Sequence, residues 1–346
     1  MLAVRKLRPA TGISIEEVPP PSAPPPGDVT IQVHAAGICG SDLHVYQWGT
    51  SYDFMRSRLP LTLGHEFSGK VVATGEGVTN IAIGDRVAVM PAGSCLRCSN
   101  CLGGDVHLCT DKKTLGLTRD GAFSRFVNAP ALDCIKLAPG TDLTLAALLE
   151  PLSVGDNAAA VGGVTSGDTV VVLGPGTIGQ AIVRAARWRG ATRVIAVGMN
   201  DKPRLETALA LGATDVIDLA SESSLKDGIR ALTGSTTADV VIEATGHETS
   251  ISDGLSILRK GGVLVSAGIH ARPASFDLTS FVRNQQQLRA AHGSRRKSWE
   301  IIARHIATDP ASVRAMVSME MSLRDAEEGF RRCFERNVSK VVLRPE

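Results

Sequence analysis

Thr169-Val170-Val171-Val172-Leu173-Gly174-Pro175-Gly176-Thr177-Ile178-Gly179 decides the fold. Thr169 to Leu173 is a short apolar stretch of strand length, and the spacing of a helix follows from Gln180 to Arg189. Between them lies G-x-G-x-x-G, formed by Gly174, Gly176 and Gly179 around Thr177 and Ile178. The first glycine permits a tight turn, the second lets a pyrophosphate approach the backbone, and the third lets strand and helix pack closely. The helix N-terminus then offers amide donors and a favourable dipole to phosphates. The motif alone is weak evidence, but in a strand–loop–helix context it predicts a dinucleotide site.

Reading outward, Val194–Val197, Val216–Leu219, Val240–Glu243 and Val263–Ala267 are further short apolar runs, with a helical segment at Lys202–Leu211. Alternating strands and helices predict an α/β fold with a parallel doubly wound sheet over residues 154–290. An acid normally ends the second strand and holds the adenosine ribose hydroxyls. Here Gly198 stands in that place, followed by Asn200, Lys202 and Arg204. Without a carboxylate to repel a 2′-phosphate, and with cations nearby, NADP is as good an expectation as NAD.

Residues 1–153 read instead as β-rich. Strand-like runs at Val29–Ala35, Glu66–Thr74, Arg86–Met90 and Phe123–Val127 are separated by Gly/Pro punctuation. Residues 291–346 carry an amphipathic helix, Trp299–Ala307, and a last apolar strand, Lys340–Leu343, expected to return to the first domain.

A chain of 346 residues suggests two domains. Its 43% hydrophobic and 21% charged composition is globular, and a net charge of +2 gives no reason to expect a nucleic acid or membrane surface as partner. No signal peptide or membrane-spanning run is evident. The seven cysteines are odd in number, and four crowd between Cys95 and Cys109. That pattern fits a metal site in a reducing cytoplasm rather than a secreted disulfide framework.

Cys95, Cys98, Cys101 and Cys109 form C-x2-C-x2-C-x7-C, which matches a closed tetrahedral structural zinc. Arg97, Lys112 and Lys113 are placed to offset its negative charge. Cys39, His65, Glu66 and Glu150 are candidates for a second, open zinc site, since catalytic zinc keeps about three protein ligands and leaves a position for water or substrate. Each motif here, Gly37-Ile38-Cys39-Gly40-Ser41-Asp42 or Gly64-His65-Glu66, is weak alone, because a lone buried histidine is more often a satisfied core residue.

Taken in order, G-I-C-G-S-D-L-H, G-H-E, the four-cysteine lobe, E-P-L-S-V-G and G-P-G-T-I-G resemble the zinc-containing medium-chain dehydrogenases over nearly the whole chain. The resemblance implies a GroES-like β-rich catalytic domain joined to a Rossmann domain, two zinc ions per chain and NAD or NADP. It implies Cys39, His65 and Glu150 as ligands of the catalytic zinc, as in the polyol and threonine dehydrogenase branch, with Glu66 exchanging with Glu150 or water. Asp42 then orients the zinc histidine, a role compatible with its capping a helix. Ser41 and His44 resemble a proton relay from substrate to solvent.

The expected reaction is hydride transfer between a secondary alcohol, such as a polyol or sugar alcohol, and NAD(P). Leu43-His44-Val45-Tyr46-Gln47-Trp48 also looks like the L-threonine 3-dehydrogenase branch, but the histidine that branch carries before its cysteine lobe is missing from Val89-Met90-Pro91-Ala92-Gly93. A non-catalytic nucleotide-binding relative would have no need of an open zinc position with a relay. The expected partner is a small-molecule alcohol or ketone, and the expected assembly a homodimer or homotetramer. Residues from Trp48 to Arg58, with Phe123, His270 and Arg295-Arg296, are expected to shape the substrate pocket.

Overall fold

The computed structural model describes residues 1–222 and 224–345. The chain forms two compact units, Met1–Glu150 with Trp299–Glu346, and Pro151–Ser298. Among the described residues no helix is long and apolar enough to cross a membrane.

The second unit is a six-stranded sheet in the order Asp215–Asp218, Arg193–Gly198, Thr169–Leu173, Ala238–Glu243, Leu258–Ser266, Gln287–Ala290. Every neighbouring pair is parallel. The chain winds outward from Thr169–Leu173 in one direction and then restarts beside it at Ala238–Glu243. Ligands in such sheets bind beyond the carboxyl ends of the strands at that reversal. The central strands are fully covered: Val170, Val171, Val172, Val194 and Ile195 are all at 0% exposure. Continuous β-branched runs tolerate this because both sheet faces carry helices.

At the reversal the helix Thr177–Trp188 begins inside the glycine loop, three residues earlier than periodicity predicts, with Gly176 as its extended N-cap. Gly174 takes φ +100°, a left-handed conformation that favours glycine. A Cβ on Gly179 would overlap the Gly174 carbonyl oxygen. A Cβ on Gly176 would meet only the Arg204 guanidinium, at 3.6 Å, so that face of the loop lies open. Buried Gln180 ties the loop to the next helix, donating to the Pro175 carbonyl at 3.0 Å and the Arg204 carbonyl at 3.4 Å.

The first unit is built on a seven-stranded sheet. Asp28–Gly37 is its centre, paired antiparallel with Glu66–Thr74, Phe126–Pro130 and the last strand, Lys340–Arg344. The strand expected at Phe123–Val127 is found at Phe126–Pro130. Phe123 is held outside it, by Leu63 O accepting from its amide and Val4 N donating to its carbonyl, both at 2.9 Å. Its ring fills the space beside Gly64, where any Cβ would collide with it. One core cluster, including Phe67, Val45, Met55, Phe123 and Phe330, supports the segments that follow.

Gly179→Ala tests the loop's packing. Relieving its overlap costs about 1–3 kcal/mol, so NAD(P) affinity should fall about tenfold or more while the zinc content of the first unit is unchanged. An unaltered dissociation constant, measured by titration calorimetry, would contradict this role for Gly179.

Candidate functional site

The strand Asp28–Gly37 delivers the chain to Ile38 and Cys39, and the helix Gly40–Gln47 follows. Asp42 caps this turn, its Oδ2 accepting from the Cys39 amide at 2.9 Å. In the sheet register Gly37 stands opposite Glu66, which opens the strand Glu66–Thr74. His65 immediately precedes it. Cys39, His65 and Glu66 are thus brought together, each offering a ligand atom within 4.8 Å of the others.

His65 is 6% exposed and its two ring nitrogens face different partners. Ser41 Oγ lies 3.2 Å from Nε2. Asp42 Oδ1 lies 3.7 Å from Nδ1, and both of these atoms are buried without a hydrogen bond. A proton on Nδ1, favoured by the fully buried Asp42 carboxylate, leaves the Nε2 lone pair for a metal. Glu66, at 0% exposure, is engaged by Lys340: Nζ lies 2.6 and 2.8 Å from its two carboxylate oxygens and also donates to Ile38 O at 2.8 Å.

Glu150 is not part of the close cluster. It feels the same charges nonetheless. Burial first, then the Glu66 carboxylate, push its carboxyl up to about 7. Cys39, Asp42, Glu66 and Glu150 thus outnumber the cationic groups around them, and a divalent cation fits this excess of acidic donors. His44 is exposed, and among the described residues no hydrogen bond joins it to Ser41. Its ring stacks on Tyr52, with centroids 6.2 Å apart. Burial, then the Cys39 and Asp42 charges, push the Tyr52 phenol up to about 12, so it stays a neutral hydroxyl. Tyr52 and Lys340 carry no motif; only the fold places them here.

The four sulfurs of Cys95, Cys98, Cys101 and Cys109 also lie within 4.8 Å of one another. Backbone amides converge on them: Cys95 N donates to Cys109 Sγ at 3.2 Å and Asp111 N donates to the same sulfur at 3.4 Å. Amides of Thr110 and Cys101 hold the Cys98 thiol down at about 5. These amides favour thiolate at Cys98 and Cys109, whereas burial pushes the Cys101 thiol up to about 12, and the four sulfurs together fit a tetrahedral zinc. The basic side chains expected to offset this charge have other partners. Arg97 and Lys113 face Asp111 at 3.0 and 3.6 Å, and Lys112 donates to His107 O at 2.6 Å.

In the second unit the loop of Gly174, Gly176 and Gly179 leaves the open face a pyrophosphate needs. Gly198 ends the strand Arg193–Gly198, and a Cβ there would come within 3.0 Å of Pro175 Cγ. Asn200 adopts φ +52° and its amide donates to Asp218 Oδ1 at 2.9 Å. Lys202 points to solvent at 84% side-chain exposure, whereas Arg204 is 18% exposed and paired with Asp201.

Cys98→Ser should lower bound zinc from two per chain to one and reduce Tm by about 5 °C or more. Metal analysis still finding two zinc ions would contradict the all-thiolate assignment.

The chain matches the family model for the alcohol dehydrogenase GroES-like domain over residues 25–139 and the zinc-binding dehydrogenase model over residues 177–308. The chain is 33% identical to a sorbitol dehydrogenase of Halalkalibacterium halodurans, covering 100% of this chain and 99% of that one. It is 34% identical to an L-threonine 3-dehydrogenase of Bacillus licheniformis, covering 96% of each. A crystal structure of a zinc-binding dehydrogenase from Sinorhizobium meliloti bound to NADP superposes with a TM-score of 0.87 at 28% identity, covering 99% of both chains. With two sites that fit zinc and a loop that fits a dinucleotide, the chain belongs to the zinc-containing medium-chain dehydrogenase/reductase family, as a zinc- and NAD(P)-dependent oxidoreductase of alcohols.

Proposed function

We propose that the protein oxidises a secondary alcohol of a small polyol or sugar alcohol to the ketone, and reduces the ketone in reverse. The observation that carries this reading is the convergence of Cys39, His65 and Glu66 with the Ser41 hydroxyl 3.2 Å from His65. In this reading Cys39 and His65 are the fixed ligands of the catalytic zinc. Glu66 and Glu150 complete the set in exchange, with Lys340 drawing Glu66 away. When bound, zinc supplies Lewis-acid polarisation that lowers the pKa of the alcohol.

The chain's own residues then manage the proton. Ser41 is the hydroxyl that takes it from the substrate oxygen. The exposed His44 passes it to solvent, through Tyr52 or water, since Ser41 and His44 are not directly bonded. Asp42 holds His65 in the tautomer that keeps Nε2 free. The coenzyme loop is Gly174 to Gly179, and Gly198 with Asn200, Lys202 and Arg204 forms the ribose-reading edge.

The L-threonine reading is supported by the relative from Bacillus licheniformis and by Leu43 to Trp48. It lacks the histidine before the cysteine lobe, so polyol oxidation is the stronger reading. None of the seven cysteines is joined in a disulfide, in keeping with a cytoplasmic protein. The edge strand Gln287–Ala290 is exposed at every residue, in keeping with a homodimer or homotetramer.

Initial rates with polyols, sugars, threonine and simple alcohols, each with NAD and NADP, test the substrate class. A polyol should give the highest kcat/KM; threonine in first place would overturn the reading. Cys39→Ser should abolish turnover while the folded chain keeps one zinc. Ser41→Ala should lower kcat by about 10²–10³. His44→Ala should cost less and displace the pH–rate profile, because water partly replaces an exposed histidine. A His44→Ala profile that overlays the parent's would remove His44 from the relay.

A further inference from the structure

The edge of the coenzyme crevice holds a charge arrangement that the strand-end glycine conceals. Gly198 leaves the usual acidic position without a side chain, but Asp201 leans into the same space. Its Cβ lies 3.3 Å from where a Cβ on Gly198 would stand, and the residue is 6% exposed. Asp201 is bound bidentately by Arg204, through Nε to Oδ1 at 2.6 Å and Nη2 to Oδ2. The remaining guanidinium nitrogen, Nη1, lies 3.6 Å from where a Cβ on Gly176 would stand. The guanidinium therefore spans from Asp201 to the second glycine of the phosphate-approach loop.

Neighbouring charges do not alter this balance. Lys202 is directed into solvent and lies 3.9 Å from Glu206. Asp218 is occupied by the amides of Asn200 and Ala220, at 2.9 and 3.1 Å. At the end of the second strand a carboxylate selects a free ribose 2′-hydroxyl, whereas an arginine accommodates a 2′-phosphate. Here one of each is present and each occupies the other.

We infer that Asp201 and Arg204 form a mutually neutralising coenzyme-selecting pair, in which Asp201 restrains an arginine able to favour a 2′-phosphate. The pair leaves the parent enzyme with little preference between NAD and NADP. Removing either charge exposes the other, so the two single substitutions act in opposite directions. An arginine that merely packed against the loop would show no such opposition.

The test is equilibrium binding to the zinc-loaded protein, followed by titration calorimetry with NAD⁺, NADP⁺ and the fragments 5′-ADP and 2′,5′-ADP. The fragments carry no nicotinamide and report the adenosine edge without turnover. Asp201→Asn should tighten 2′,5′-ADP and NADP⁺ relative to 5′-ADP and NAD⁺ by about tenfold or more. Arg204→Gln should shift the same ratios about tenfold the other way, and the double variant should return near the parent ratio. Arg204→Gln stands as a sufficient arm should Asp201→Asn fold poorly, since it must weaken the 2′-phosphate ligands selectively. Single variants that both leave the ratio within about twofold, or that both shift it in one direction, would overturn the inference.

Discussion

Lys340 and Glu66 are shut away from water, at 1% and 0% exposure, and the ammonium lies 2.6 Å from the carboxylate. Each ion loses several kcal/mol of hydration on burial, so the arrangement survives only because both charges are matched and further hydrogen-bonded. Lys340 meets the second condition through Ile38 O. The pair also needs room. A Cβ on Gly37 would stand 2.5 Å from Glu66 Oε2 and 3.1 Å from Lys340 Cδ, so glycine at the end of this strand is a requirement of the ion pair. The last strand of the chain, docked on Asp28–Gly37, therefore completes a pocket whose other residues come from the first 150. Removing one partner would leave an uncompensated buried charge, at a cost of about 3–5 kcal/mol.

The matching of buried charge by a particular partner recurs at the other sites by different means. In the cysteine lobe, backbone amides answer the thiolates, and the lysines and arginine turn to Asp111 and a carbonyl instead. At the sheet reversal, buried Glu243 accepts from Thr245 N, Thr245 Oγ1 and Gly246 N at 2.5, 2.5 and 2.8 Å. Its other oxygen faces His270 Nε2 at 3.1 Å. Thr245 in turn packs against Gly174, so this carboxylate holds the turn beside the coenzyme loop in shape. Around Cys39, His65, Glu66 and Glu150 the acidic donors exceed the basic groups, which suits a divalent cation.

What could be read from sequence follows from the range of each interaction. The glycine loop and the strand Thr169–Leu173 were legible because their rules are local: glycines at a fixed offset, and a continuous apolar run. The clustering of the cysteine lobe was legible for the same reason, since its four cysteines fall within fifteen residues. Partners distant in sequence were not. Lys340 reads as one residue of an apolar strand, and nothing local says that it faces Glu66 across 274 positions. Phe123 reads as a strand residue, but its backbone bonds to Leu63 and Val4 hold it outside. Gly198 shows which side chain is missing, and not that Asp201, three residues on, occupies the vacated space. At the metal pocket Glu66 is in the tight cluster and engaged by Lys340, while Glu150 is not in that cluster.

Zinc K-edge X-ray absorption of the fully loaded protein bears most directly on the central claim that two chemically different zinc sites share this chain. One site is all sulfur, and the other has Cys39 as its single sulfur among nitrogen and oxygen donors. Two zinc ions per chain and a mean of about two and a half sulfur ligands per zinc are expected. A mean close to four, with one zinc per chain, would show that the Cys39 pocket holds no metal and would contradict the account.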